Sequence, residues 1–239
     1  MLPMTYLLWS RFPLPYTAAL QTDSLLFNRG ALLNAAALVL NCSSYDYYVF
    51  QDVDTVPVAA HGLAYTFPKG PAPLHLTPFG IHPHANFEDF FGGILSISRL
   101  QFWLVNGFGA HFWGWGREDD NLRGRLELQG LWPPELPDLR SRTNAANGSS
   151  EFFFADPRRP YGDASIVSSQ PALLRDYASG LNSTAFTYAE VSLDSWMGVR
   201  RMRVRLHCDR SQTPWCSVPA VPPPLRNARR KDLKDPLLG

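Results

Sequence analysis

Net charge, cysteine and long apolar runs are all scarce in this sequence of 239 residues, and each scarcity excludes something. Lys and Arg number 22 against 21 Asp and Glu, a formal net charge of +1. No nucleic acid or acidic polymer is therefore expected as an electrostatic partner. Cysteine occurs three times, at Cys42, Cys208 and Cys216, and never with histidine at zinc-site spacing. Cys208 and Cys216 flank a segment containing Thr213, Pro214 and Trp215, short enough to close one small loop by a disulfide. Cys42 would then be left over. No stretch reaches the roughly 18 to 20 apolar residues of a membrane span, and Arg11, Pro13 and Pro15 interrupt the apolar N-terminus. The basic start, apolar run and cleavage site of a signal peptide are also missing. No internal repeat occurs.

What is present is the composition of a globular chain, 45% hydrophobic and 18% charged, long enough to bury a real core. Aromatics reach 13%, with 7 Trp, which suits sugar-binding platforms and core filling alike. Sequons at Asn41, Asn147 and Asn182 permit a secretory location.

Leu25 to Phe27 is a short apolar entry to an Ala/Leu-rich run, residues 31–40, which predicts a helix. Tyr47-Tyr48-Val49-Phe50 predicts a strand buried on both faces, and helix-then-strand order argues for an α/β sheet. Residues 68–83 and 133–163, rich in Pro, Gly, Asn or Arg, predict loops. A strand is expected over 94–98, helices over 99–105 and 120–131, and a strand over 202–206, where Met202, Val204 and Leu206 alternate with arginine. The tail, 219–239, is Pro-rich, basic and expected to be disordered.

Two acidic groups carry candidate chemistry. Asp52-Val53-Asp54 directly follows the buried strand, where alternation puts both carboxylates on one side of an extended chain. Ligands of open α/β sheets gather outside the carboxyl ends of strands, so the triplet suits a divalent metal on a diphosphate. Glu118-Asp119-Asp120 follows Trp113-Gly114-Trp115-Gly116-Arg117. Three adjacent acids also suit a helix start, where the dipole favours negative charge. Beside Trp faces and closely approachable Gly backbone, a carboxylate can take a proton from a sugar hydroxyl.

Phe27-Asn28-Arg29, Asp52-Val53-Asp54, Phe91-Gly92-Gly93, Asn106-Gly107-Phe108 and the run Phe112 to Asp120 stand in the order and approximate spacing of the β-1,4-galactosyltransferase family. Gly180-Leu181-Asn182 is similar to a late family segment. Cys208-Asp209, Thr213-Pro214-Trp215-Cys216 and Arg117 look like the xylosylprotein branch of that family. The resemblance covers residues 17–218, treated as one domain after an N-terminal remnant, 1–16. It implies an inverting GT-A transferase moving galactose from UDP-galactose, in β-1,4 linkage, to a xylose- or N-acetylglucosamine-type acceptor on a glycoprotein or proteoglycan. By resemblance Phe27 and Arg29 hold the uridine end, Asp52 and Val53 line the nucleotide pocket, and Asp54 binds manganese. Trp115 contacts donor and acceptor, and Asp119 is the base. Glu118, Asp120, Gly116, Phe90, Gly92 and Gly93 hold or shape the sugar subsites. A Golgi lumenal location and a membrane anchor in the full-length protein follow from the same resemblance.

Three departures from the family pattern qualify these expectations. The family completes its manganese site with a histidine after the Trp/Gly motif, but no histidine occurs here between His111 and His207. Asp156 or Glu151 could substitute, and weak metal binding is the expectation. The family's first strand and anchor are absent, which predicts an exposed sheet edge and suggests a fragment. Phe90 stands where the family has a tyrosine that helps choose galactose over N-acetylgalactosamine. Its bulk is kept, so galactose preference is expected. The rival readings are a degenerate nucleotide- or glycan-binding relative and a transferase using UDP-N-acetylgalactosamine. His61, His75, His82 and His84 read as exposed loop histidines, while His111 stands close enough to the motif to reach an acceptor.

Overall fold

The Ala/Leu run behind Phe27 folds as helix α1, Arg29–Val39, because small and unbranched side chains lose little freedom in a helix. Asn28 caps it, its side-chain oxygen accepting the Ala31 N–H at 2.9 Å. The computed structural model describes residues 4–9, 16–40, 45–52, 55–57, 65–82, 87–114, 116–137, 152–154, 173–194 and 199–217. Its strands are β1 Met4–Trp9, β2 Tyr16–Gln21, β3 Tyr47–Asp52, β4 Thr55–Pro57, β5 Leu74–His75, β6 Ile94–Ser98, β7 Phe152–Phe154, β8 Phe186–Asp194 and β9 Val199–Leu206. Two further helices are α2, Arg99–Leu104, and α3, Glu118–Leu128.

Seven strands form one mixed sheet in the order β5-β6-β3-β1-β2-β9-β8, parallel only between β2 and β9. β3 explains the core. Tyr48 and Phe50 face the larger cluster, which includes Leu32, Leu33, Phe102, Phe108 and Leu122. Tyr47 and Val49 face a smaller one with Leu74, Leu76, Ile81 and Ile94. Alternation over a doubly buried strand thus feeds both layers. β9 does the same on one side only: Met202, Val204 and Leu206 are buried, and Arg201, Arg203 and Arg205 are exposed.

Several elements depart from the sequence expectations. Met4–Trp9, set apart as a remnant, pairs antiparallel with both β2 and β3. β1 lies inside the sheet between β3 and β2, where an extended six-residue stretch satisfies the backbone groups of both neighbours. Short strands β5 and β7 lie inside segments predicted as loops. β7 pairs with β4, Thr55 opposite Phe154 and Pro57 opposite Phe152. Strand β8 was not predicted. Helix α3 begins two residues before the expected 120 and ends at Leu128.

Cys208 and Cys216 form a disulfide, and Trp215 donates its indole N–H to the His111 carbonyl at 3.1 Å. Among the described residues no helix is long and apolar enough to cross a membrane. Cys42, His61, His84 and the 219–239 tail lie outside the described residues.

Candidate active site

The site is assembled by the N-terminal half of α1 and the residues leading into it. Asn34, a polar residue inside an apolar helix, grips the backbone of Phe108 twice. Its amide donates to the Phe108 carbonyl at 2.8 Å and its oxygen accepts the Phe108 N–H at 3.0 Å. Asn28 donates to the Ala110 carbonyl at 2.8 Å, and the Phe27 carbonyl accepts the Gly114 N–H at 2.7 Å. Gly30 makes this contact possible, since a Cβ there would stand 2.9 Å from the Gly109 oxygen and 3.0 Å from Phe108 Cβ. Helix and motif loop therefore touch backbone to backbone.

That contact brings Arg29 to three carboxylates. Its Nε donates to Asp52 at 2.6 Å, and its Nη1 to Asp119 at 2.8 Å and to Glu118 at 3.4 Å. The guanidinium carbon lies 5.6 Å from the centre of the Phe108 ring, a cation–π contact. Burial alone would lower the Arg29 pKa, but Asp52, Asp119 and Glu118 hold it above its ordinary value. Glu118 and Asp119 shift upward, by burial first, with Arg29 opposing and the neighbouring carboxylates adding to the rise. Asp119 keeps 27% of its side chain open to solvent. It is a carboxylate of raised proton affinity within reach of a ligand.

Gly92 and Phe90 form the wall beside it. A Cβ on Gly92 would fall 2.9 Å from Asp119 Oδ2 and 2.9 Å from Phe90 Cζ. Behind the wall, His75 Nε2 donates to the Gly92 carbonyl at 2.8 Å. His75 and His82 are buried, 1% and 8% exposed, which corrects their reading as exposed loop residues. Burial drives the His75 pKa down to about 4; its bond to Gly92 resists and His82 assists. An unfolded histidine protonates near its ordinary value of about 6.5, so stability is full above that pH and is lost as pH falls toward about 4. Relative to His75→Gln, the protein is expected to lose about 2–3 kcal/mol between pH 7 and pH 4.5, read by urea unfolding. Equal losses in both proteins would refute this.

The structure thus gathers Arg29, Asp52, Glu118, Asp119, Phe90 and Gly92. Asp120 turns to Arg117, 3.0 Å away, and Gly116 faces open space. Gly93 lies behind the wall, beside Thr77 and His82. His111 pairs with Asp176 at 2.9 Å; that bond and those from Ser179 outweigh burial and hold the Asp176 carboxyl below its usual range. Val53, Asp54 and Trp115 lie outside the described residues, as do Glu151 and Asp156. The sequence reading quoted Phe108 only as part of a family motif, without a role, and missed Asn34 and Thr77. Asn34 carried a signal, an amide in an otherwise apolar helix; Thr77 carried none.

Among the described residues no three His, Cys, Asp or Glu side chains group as metal ligands do, and Asp52 is already engaged by Arg29. These residues alone do not fit a divalent-ion site.

Residues 73–145 match a family model described as the N-terminal domain of galactosyltransferase. Over 198 residues the chain is 30% identical to β-1,4-galactosyltransferase 7 of Drosophila melanogaster, covering 82% of this chain and 60% of the relative. It is 32% identical over 200 residues to the xylosylprotein 4-β-galactosyltransferase of Caenorhabditis elegans, covering 82% of this chain and 68% of the relative. The chain spans about three fifths of the length of the fly enzyme and of its human and mouse counterparts. Two solved structures of the Drosophila enzyme resemble it. One is the catalytic domain with xylobiose, at TM-score 0.73 and 29% identity. The other is a mutant with manganese, UDP-Gal and xylobiose, at 0.69 and 27%. Each comparison covers 83% of both chains.

Proposed function

The chain belongs to the β-1,4-galactosyltransferase family, with the GT-A fold of its solved relatives, and on that premise we propose that it transfers galactose from UDP-galactose to a sugar acceptor of the xylose type. The observation that carries this reading is the Asp119 carboxylate, raised in proton affinity, partly open, and set against the Gly92 and Phe90 wall. Asp119 takes the proton of the acceptor hydroxyl. The hydroxyl oxygen then attacks the anomeric carbon of galactose as the bond to the diphosphate breaks, and the bonding pair leaves with UDP. One in-line displacement inverts the anomeric centre and needs no enzyme-bound sugar.

Arg29 orients Asp119 and Asp52. Phe27, Val53 and Trp115 serve the donor, with Trp115, Gly116, Glu118 and Asp120 at the acceptor. A xylose-type acceptor is supported by the xylobiose complexes of the fly relative.

Manganese accompanies UDP-Gal in the fly complex, and Asp54 is the proposed ligand here. Asp54 directly precedes β4, whose Thr55 lies opposite Phe154. Either Asp156 or Glu151, two residues after and one residue before β7 in the sequence, is the proposed second ligand. The ion, when bound, would neutralise the departing diphosphate. A lumenal Golgi location for the full-length protein is proposed with the function, supported by the Cys208–Cys216 disulfide, which suits an oxidising compartment.

The test is UDP release from UDP-galactose and a xyloside, with and without manganese, in the full-length protein. Turnover is expected, faster than with UDP-N-acetylgalactosamine, because Phe90 keeps the wall bulky. Absence of turnover in folded protein would sink the enzymatic reading. Faster N-acetylgalactosamine transfer would sink the donor assignment.

A further inference from the structure

The Gly92-Gly93 turn is gripped from behind by two residues that no ligand can reach. His75 and Thr77 are 1% and 0% exposed. Both aim at one atom: the Gly92 carbonyl accepts from His75 Nε2 at 2.8 Å and from Thr77 Oγ1 at 3.3 Å. Thr77 Oγ1 also accepts the Ile94 N–H at 2.7 Å, so the same side chain ties the turn to the start of β6. Gly93 takes φ +85°, and a Cβ there would strike Thr77 and His82. Phe90 in turn packs on His82, ring centres 4.6 Å apart, and lies 6.1 Å from His75.

Packing alone does not account for this arrangement. His75 stands among aromatic rings, its centre 5.1 Å from that of Phe91 and 6.1 Å from that of Phe90, where an apolar side chain would fill space without burying polar atoms. An imidazole and a hydroxyl cost desolvation at that place, and what they gain is a fixed carbonyl. The opposite side of that glycine is the contact with Asp119 Oδ2 and Phe90.

We propose that His75 and Thr77 are positioning residues that clamp the Gly92 carbonyl, holding Gly92 and Phe90 against the Asp119 carboxylate and so setting which donor sugar the site admits. The proposal rests on the galactose-transfer reading above. A wall held to a fraction of an ångström excludes a sugar enlarged by an acetamido group; a loosened wall recedes and admits it. His75 donates as a neutral ring and stays neutral to about pH 4, so the clamp does not titrate where such enzymes work.

The experiment compares wild type with His75→Ala, His75→Gln and Thr77→Val. Calorimetric affinities for UDP-galactose and UDP-N-acetylgalactosamine are read together with kcat/KM for each donor, on proteins shown folded by thermal unfolding. His75→Ala and Thr77→Val are expected to shrink the galactose preference by about tenfold, the scale of one buried hydrogen bond. His75→Gln, whose amide can donate to the same carbonyl, should keep it to within about twofold. Between pH 5.5 and 8 the shape of the kcat/KM profile should be the same in all four proteins, since a positioning residue moves no proton. An unchanged donor ratio in folded His75→Ala and Thr77→Val overturns the clamp, as does an equal loss in His75→Gln and His75→Ala. Should wild type bind neither donor, the galactose-transfer reading falls and the clamp with it. Should wild type prefer UDP-galactose and the variants keep that preference, the clamp alone falls.

Discussion

Asp119→Asn is expected to lower kcat by about a thousandfold, the usual weight of a general base, while UDP-galactose affinity changes by less than about threefold. The asymmetry follows from geometry. The amide oxygen of asparagine can still accept from Arg29 Nη1, now at 2.8 Å from Asp119 Oδ1, so the guanidinium keeps its place. Gly92 keeps its neighbour as well, since the amide has nearly the same shape. What disappears is the lone pair basic enough to take a hydroxyl proton. Asp119 has its pKa raised by burial and by the crowding of Glu118, Asp52 and Asp120, so it is protonated over a wider acid range than a surface carboxylate. The acid limb of kcat/KM should therefore lie well above the ordinary aspartate range, activity rising with pH as the carboxyl ionises. Glu118→Gln should lose far less kcat, because Glu118, with 8% of its side chain exposed and paired to Arg29, is proposed to hold the acceptor and not to take its proton. A survival of turnover in Asp119→Asn, measured by UDP release in single-turnover conditions, would move the base elsewhere.

Local patterns in the sequence revealed the parts of this site but not their junction. The run Phe112 to Asp120 carries its chemistry within a few residues, and β3 announces itself by four apolar residues buried on two faces. Helix α1 and strand β9 follow from composition and alternation. The meeting of Arg29 with Asp52 and Asp119 spans 23 and 90 residues, and no local period encodes it. It depends on Gly30 and Asn34, whose role shows only once helix and loop are in contact. His75 misled for a related reason: prolines and glycines around it read as loop, while two residues of strand pairing, Leu74 to Ser96 and His75 to Leu95, draw it inside. Strand β8 sits at the sheet edge with Thr187, Tyr188 and Ala189 exposed, so its apolar signal is weak. β7 is three phenylalanines in a segment whose composition otherwise reads as coil.

Arg29→Met is expected to destabilise the fold by about 3–5 kcal/mol at pH 8, the cost of stripping a buried group of anions of its cation. The side chain is 12% exposed and is the one described cation in contact with Asp52, Glu118 and Asp119 together. Without it, carboxyls that burial already pushes upward lose the interaction holding them down. Raised carboxyl pKa values mean that the folded state holds protons the unfolded chain releases, so its stability is greatest at low pH and falls as pH rises through those values. The Arg29→Met deficit should therefore shrink as pH drops from 8 to 5, the reverse of the His75 effect over the neighbouring acid range. Arg29→Lys should fall between, since an ammonium places its charge at one carboxylate rather than forking to three. Arg123→Met is the control. Arg123 pairs with Glu127 and Asp89, both at least 42% exposed, and lies over the Trp132 ring; these contacts together are worth about 1–2 kcal/mol and strip no buried anion of its cation. Urea unfolding of the three variants at pH 5 and pH 8 decides the matter. A deficit in Arg29→Met no larger than that of Arg123→Met, or one that grows on acidification, would mean that the three carboxylates are held apart by something other than Arg29.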